Sequence, residues 1–145
     1  MYNALDIARY IIKHENSADR SVSNLRLQKL LYFVQAQFLV SKHEPCFNGR
    51  MEAWNFGPVV PEVYHEYKMF GSTNIPDSLS DSNINLSDQD RTLIDKILDH
   101  CAQLSSTTLV SITHNQKPWK EAYVKPYDNE ITNKSILSYF EVKNG

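Results

Sequence analysis

The segment between Ser23 and Lys42 constrains the fold of this chain more than any other. Ser23 is placed to cap a helix, and Val22 and Leu27 are spaced as a hydrophobic staple across its first turn. Leu27, Leu30, Leu31, Val34 and Phe38 recur at helical spacing as an inner stripe, and Phe33 and Leu39 widen the apolar surface. A helix apolar over so much of its circumference belongs at the centre of a core. The other segments must wrap it, and we read it as the hub. Lys42 to Pro45 ends it.

The wrapping elements are shorter. A first helix is predicted over Ala4 to Lys13, capped by Asn3, with Ala4, Leu5, Ala8, Ile11 and Ile12 on one face and a polar connection from Glu15 to Ser21. After the hub, Asn48-Gly49 is a turn signal, and Met51 to Phe56 is too short and aromatic for a helix, so a strand is expected there, closed by Gly57-Pro58. Pro61 opens a third helix that Gly71 ends. Residues 72–86 read as a surface loop. Ser87 and Asp90 have capping-box spacing before an amphipathic helix that buries Leu93, Ile94, Ile97, Leu98, Cys101 and Leu104 and turns Asp88, Asp90, Asp95, Lys96 and Asp99 to water. Shorter helices are predicted over Thr107 to Thr113 and from Pro118 to Tyr123, and a last one from Thr132 with Ile136, Leu137 and Phe140 inward. The expected fold is mainly α: a compact helical bundle, one domain over 1–145, with a short β-strand or hairpin after the second helix.

Charge and cysteine usage narrow the function. Fifteen basic against 17 acidic side chains give a formal charge of -2, which disfavours a protein that coats nucleic acid through clustered Lys and Arg. Arg20, Arg26, Lys29 and Lys13 are scattered over two helices and a loop, with no recognition helix. Cys46 and Cys101 lack the spacing of a zinc site or a disulfide framework, and two unpaired thiols fit a reducing cytoplasm. Met1 to Tyr10 is no signal peptide, and the apolar run Leu30 to Val34 falls far short of the roughly 20 residues that span a bilayer. No membrane or nucleic-acid partner is expected.

Signs of catalysis are sparse. Glu62 and His65 share a helix face, but a di-metal bundle needs that pair twice. Cys101 lies on an apolar stripe, where a thiol is usually inert. No nucleophile elbow, glycine-rich phosphate loop or His-Glu-x-x-His occurs. We expect no catalytic residues, metal or cofactor; a small hydrolase or metal enzyme using His114 or Glu62 and His65 is the weaker reading. His114 and Trp119 are read as tying short helices to the core, while Trp54 can pack on the hub or lie on an interaction face.

Three blocks together point to a family. Ser23-Asn24-Leu25-Arg26-Leu27-Gln28-Lys29-Leu30-Leu31-Tyr32 resembles the leading motif of the Panacea domain, the SocA-like group that includes phage-associated GepA proteins. Glu52-Ala53-Trp54-Asn55-Phe56-Gly57-Pro58-Val59-Val60-Pro61-Glu62-Val63-Tyr64 looks like its most specific motif, and Thr113-His114 with Pro118-Trp119 like its third. The resemblance implies an antitoxin from a toxin–antitoxin system, prophage or mobile element that neutralises a cognate toxin, encoded by the adjacent gene, through direct protein–protein contact. The alternative it implies is a proteolytic adaptor that delivers the toxin to a cytosolic ATP-dependent protease. The matched positions are Leu27, Gln28, Lys29, Leu30 and Tyr32; Ala53, Trp54, Gly57, Pro58 and Tyr64; and His114, Pro118 and Trp119. We assign Leu27, Leu30, Gly57, Pro58, Tyr64, His114, Pro118 and Trp119 as motif and structural positions. Gln28, Lys29, Tyr32, Glu52 and Trp54 are the candidate partner-binding patch; Gln28 and Tyr32, four apart, share a helix face. An internal network of Gln28, Tyr32 and His114 is the rival reading.

Overall fold

The computed structural model describes residues 1–77, 84–125 and 128–144. Its elements run β1 (Tyr2–Asn3), α1 (Ala4–Ser17), α2 (Asn24–Lys42), β2 (Phe47–Asn48), β3 (Glu52–Trp54), β4 (Gly57–Val59), α3 (Pro61–Tyr67), a 3-10 turn (Lys68–Phe70), α4 (Asp88–Cys101), α5 (Ser106–His114), α6 (Lys117–Tyr123) and α7 (Asn133–Asn144). The chain is mainly helical, as expected. The helix α2 is the hub: α1, α3, α4, α5, α7 and strand β4 all pack on it, and Leu27, Leu30, Leu31, Val34 and Phe38 lie in one continuous apolar core.

The caps read from the sequence form. Asn3, Ser23 and Ser87 accept from Leu5, Arg26 and Asp90 backbone N–H groups at the starts of α1, α2 and α4. Pro61 sits in the first turn of α3, where its missing N–H costs nothing. The hairpin after the hub is β3 against β4, antiparallel, with Ala53 opposite Pro58. Its reversal falls at Asn55 and Phe56 rather than at Asn48-Gly49, because β2 instead pairs parallel with β1 at the chain start.

Three expectations need correction. Helix α1 continues to Ser17, since Glu15 is buried and both its carboxylate oxygens accept from Arg20 at 2.9 Å. Asp90 does not face water. Its carboxylate is buried between the Tyr2 hydroxyl and the Lys42 ammonium, each 2.5 Å away. Burial opposes its ionisation, but those two donors outweigh it and hold the carboxyl below its usual range. The segment 72–86 is not surface throughout: Ile75 is buried and its N–H donates to Val22, while residues 78–83 lie outside the described residues.

The hub also carries a buried polar stripe. Asn24, Gln28, Lys29, Tyr32 and Gln35 are all buried. Asn24 donates to the Tyr64 carbonyl at 3.1 Å and accepts from Gln28 at 3.0 Å. The Gln28 side-chain oxygen accepts from the Val60 N–H at 2.8 Å, just where α3 begins. Lys29 donates to the Pro58 carbonyl at 3.0 Å. Tyr32 donates to Gln116, the residue that precedes α6, at 2.7 Å. Gln35 accepts from Cys46 and Phe47 and donates back to Phe47. Apart from the Gln28–Asn24 bond within the hub, these bonds satisfy groups on short or irregular neighbouring segments.

Two predictions follow from this stripe. Gly57 has φ +113°, and a Cβ there would sit 2.5 Å from Lys29 Cε and 2.9 Å from Thr113 Oγ1. Gly57→Ala is expected to destabilise by about 2–4 kcal/mol through backbone strain and overpacking. Gly71, also at positive φ but facing open space, is expected to tolerate alanine at a cost of about 1 kcal/mol; urea unfolding of both variants checks the contrast. Lys29 is fully buried, and burial pushes its pKa from 10.5 down to about 7. The unfolded chain therefore holds a proton that the folded chain has released between about pH 7 and 10.5, so stability rises with pH across that window. Below it the full penalty of a buried ammonium is present. Lys29→Met should raise stability by about 1–4 kcal/mol at pH 6, with the gain fading toward pH 10. Denaturation at pH 6, 7.5 and 9 checks this; a difference independent of pH would contradict it.

Candidate functional site

The first turns of α2, the β3–β4 hairpin, α3 with its 3-10 turn, and residues Tyr123, Lys125 and Asn129 enclose a cleft of about 770 Å³. Gln28 and Lys29 belong to its floor, Trp54, Val59 and Tyr64 to its walls, and Leu25, Phe56, Lys68, Tyr123 and Lys125 to its rim. Folding rules place them there. Lys29 reaches the hairpin because Gly57 carries no side chain to block it. The tight reversal at Asn55 and Phe56 leaves the Phe56 ring 66% exposed at the hairpin tip.

The walls are tied on several sides. Trp54 stands edge-on to Tyr64, with ring centroids 5.0 Å apart, and its indole N–H donates to Glu52 at 2.9 Å. That bond and Arg50 hold the Glu52 carboxyl below its usual range. Arg50 also gathers Asp128 and Glu130, which draws three carboxylates to one guanidinium. Trp119 donates its indole N–H to the Trp54 carbonyl at 2.8 Å. It is sandwiched between His114, 4.1 Å away, and Tyr123, 4.5 Å away, and the Tyr123 hydroxyl donates to Asn55. Trp119 thus joins α6 to the hairpin and stacks on His114 at the end of α5. Pro118 is buried in the first turn of that helix.

The predicted partner-binding patch does not assemble as one surface. Gln28, Lys29 and Tyr32 have 1%, 0% and 0% of their surface exposed. Gln28 and Lys29 bond backbone groups of Val60 and Pro58, and Tyr32 bonds the Gln116 side chain, which fixes them inside. Glu52 and Trp54 are half-buried, with Glu52 engaged by Arg50. The rival network holds in part: Gln28 and Tyr32 are internal, but they bond to Asn24, Val60 and Gln116, and neither bonds to His114. His114 Nε2 is buried without a hydrogen-bond partner in the described structure.

Sequence reasoning missed Asn24 and Gln35, whose positions continue the spacing of Gln28 and Tyr32 along α2. It also missed the rim. A Phe between Asn55 and Gly57 was a usable signal for an exposed hairpin tip; nothing local marks Lys68, Tyr123 or Lys125 as neighbours of the hub.

The site offers little for covalent chemistry. Cys46 and Cys101 are buried, and burial pushes their thiols up to about 12 and about 11, so neither is a thiolate at neutral pH. Among the described residues no three His, Cys, Asp or Glu side chains are grouped to share a metal ion. No described helix is long and apolar enough to cross a membrane.

Comparison with known proteins agrees with this arrangement. The family model described as "Antitoxin SocA-like, Panacea domain" matches residues 27–120, from the hub through Trp119. Antitoxin SocA of Caulobacter vibrioides (strain NA1000 / CB15N) is 38% identical over 128 residues, covering 81% of this chain and 68% of that protein. No solved structure matches. With the match running through the hub, the hairpin and the α6 clamp, the chain belongs to the antitoxin SocA-like, Panacea domain family.

Proposed function

We propose that this chain is a cytoplasmic antitoxin that neutralises a cognate toxin by direct protein–protein contact and transforms no substrate. One observation supports the reading beyond kinship: three exposed large apolar side chains, Leu25, Phe56 and Tyr123, come from separate segments and line one cleft. Apolar exposure gathered in this way marks interaction sites. A contact burying roughly 1,600 Å² in total holds a partner tightly without chemistry.

The test is co-expression with the product of the adjacent gene. Rescue of growth and recovery of a stoichiometric complex are the expected results. A neighbour that stays lethal, or rescue without complex formation, would contradict the reading. The toxin's half-life during rescue separates the two modes of action: occlusion leaves it unchanged, whereas an adaptor for an ATP-dependent protease shortens it.

A further inference from the structure

We infer that the cleft over Lys29 is where the toxin docks, and that it receives an acidic segment of that protein bearing an aliphatic or aromatic anchor. This rests on the antitoxin reading and adds the site and the chemistry of what fills it.

Charge is the first ground. Among the described residues three lysines, Lys29, Lys68 and Lys125, line the cleft, and no Asp or Glu does. The chain as a whole is acidic by two charges, so this concentration of positive charge is local. The nearby carboxylates of Glu52, Asp128 and Glu130 are drawn onto Arg50 instead. At the floor, the Lys29 side chain makes one hydrogen bond, to the Pro58 carbonyl, and no carboxylate sits against it. Gln28 and Asn24 beside it are fully engaged with Val60, Tyr64 and each other, so they offer a partner little. Without a counter-ion, burial disfavours the protonated form of Lys29, and a carboxylate brought into the cleft favours it again.

Shape and rigidity are the second. A volume of about 770 Å³ admits the side chains of a short segment rather than a folded face. Phe56, Leu25 and Tyr123 give that segment an apolar rim. The walls are tied before any partner arrives, through Trp54 to Glu52 and Trp119 and through Tyr123 to Asn55, which lowers the ordering cost of binding. Nucleic acid is the less favoured occupant. A phosphate backbone is held by a run of cations, whereas here two surface lysines and one enclosed lysine frame a single pocket.

The experiment uses the full chain and the adjacent-gene product, after wild-type rescue has been established; failure at that stage sinks the antitoxin reading and this proposal with it, whereas failure at the next stage sinks the docking site alone. Affinity is then measured for the Lys68→Glu/Lys125→Glu double variant and for Phe56→Ala. All three residues are exposed, so folding is expected to be undisturbed, checked by circular dichroism and thermal midpoint. We expect the double variant to bind about 30–100-fold more weakly at 0.1 M salt, with a smaller deficit at 0.5 M, and Phe56→Ala to bind at least about tenfold more weakly. Lys13→Glu, on exposed α1, is the control and should bind as wild type. A photo-crosslinking phenylalanine at position 56 should capture a toxin peptide rich in Asp and Glu. Wild-type affinity in both cleft variants, or capture of a basic peptide, would overturn the proposal while leaving the antitoxin reading intact. Binding of a single-stranded oligonucleotide that the double variant abolishes would overturn it in favour of nucleic acid.

Discussion

A stripe of buried polar side chains on one helix sets where the neighbouring segments sit, four of them uncharged and the other, Lys29, disfavoured as an ammonium by burial. A hub that merely attracted apolar faces would leave its irregular neighbours with backbone groups and no partners, since β2, β3 and β4 are two or three residues long. Asn24, Gln28, Lys29 and Gln35 supply those partners from within the core, and Tyr32 holds the Gln116 side chain. The arrangement has a high stake. Every amide and hydroxyl in the stripe gains a bond that burial strengthens, and loss of one would leave its partner desolvated and unpaired. Short strands can therefore persist beside a helix that serves as their second edge.

The same stripe fixes where the cleft is. Its first two turns form the floor, and the bonds they make set the height of the hairpin and the start of α3. Gly57 is the point of closest approach, where the hairpin backbone rests against the Lys29 stem and Thr113. Across the top, α6 completes the enclosure with two aromatic contacts and one indole bond. Structure and cavity are one construction: whatever loosens the stripe also moves the walls.

Local signals in the sequence were legible wherever they act within one turn or one face. Asn3, Ser23 and Ser87 cap because their side chains need only reach the next backbone N–H groups. The apolar stripe of α2 identified the hub because no single face could bury it. The polar stripe was misread because spacing shows that Gln28 and Tyr32 share a face without showing what that face meets. What it meets is Val60 and Gln116, 32 and 84 residues further on. Asp90 failed the same way: its place in an acidic first turn looked solvated, yet Tyr2 and Lys42 arrive from distant segments. The cleft is wholly a product of such long-range meetings, so its rim residues carried no sequence signal beyond Phe56.

The positions that carry the family resemblance and the positions that ring the cleft are largely different residues. Leu27, Gln28, Lys29, Tyr32, Gly57, Pro58, Pro118 and Trp119 are buried or half-buried and engaged with one another's segments. Leu25, Phe56, Lys68, Tyr123 and Lys125 are exposed, and apart from the Tyr123 hydroxyl they contribute little to that engagement. Substitutions at exposed positions of this kind typically change stability by less than about 0.5 kcal/mol, whereas those in a buried network cost several times more. A fold divided in this way can change what it recognises by altering its rim while the floor and walls stay fixed. Lys29 adds a constraint that all such rims share: burial favours its neutral amine, and only an anion held near it would favour the ammonium.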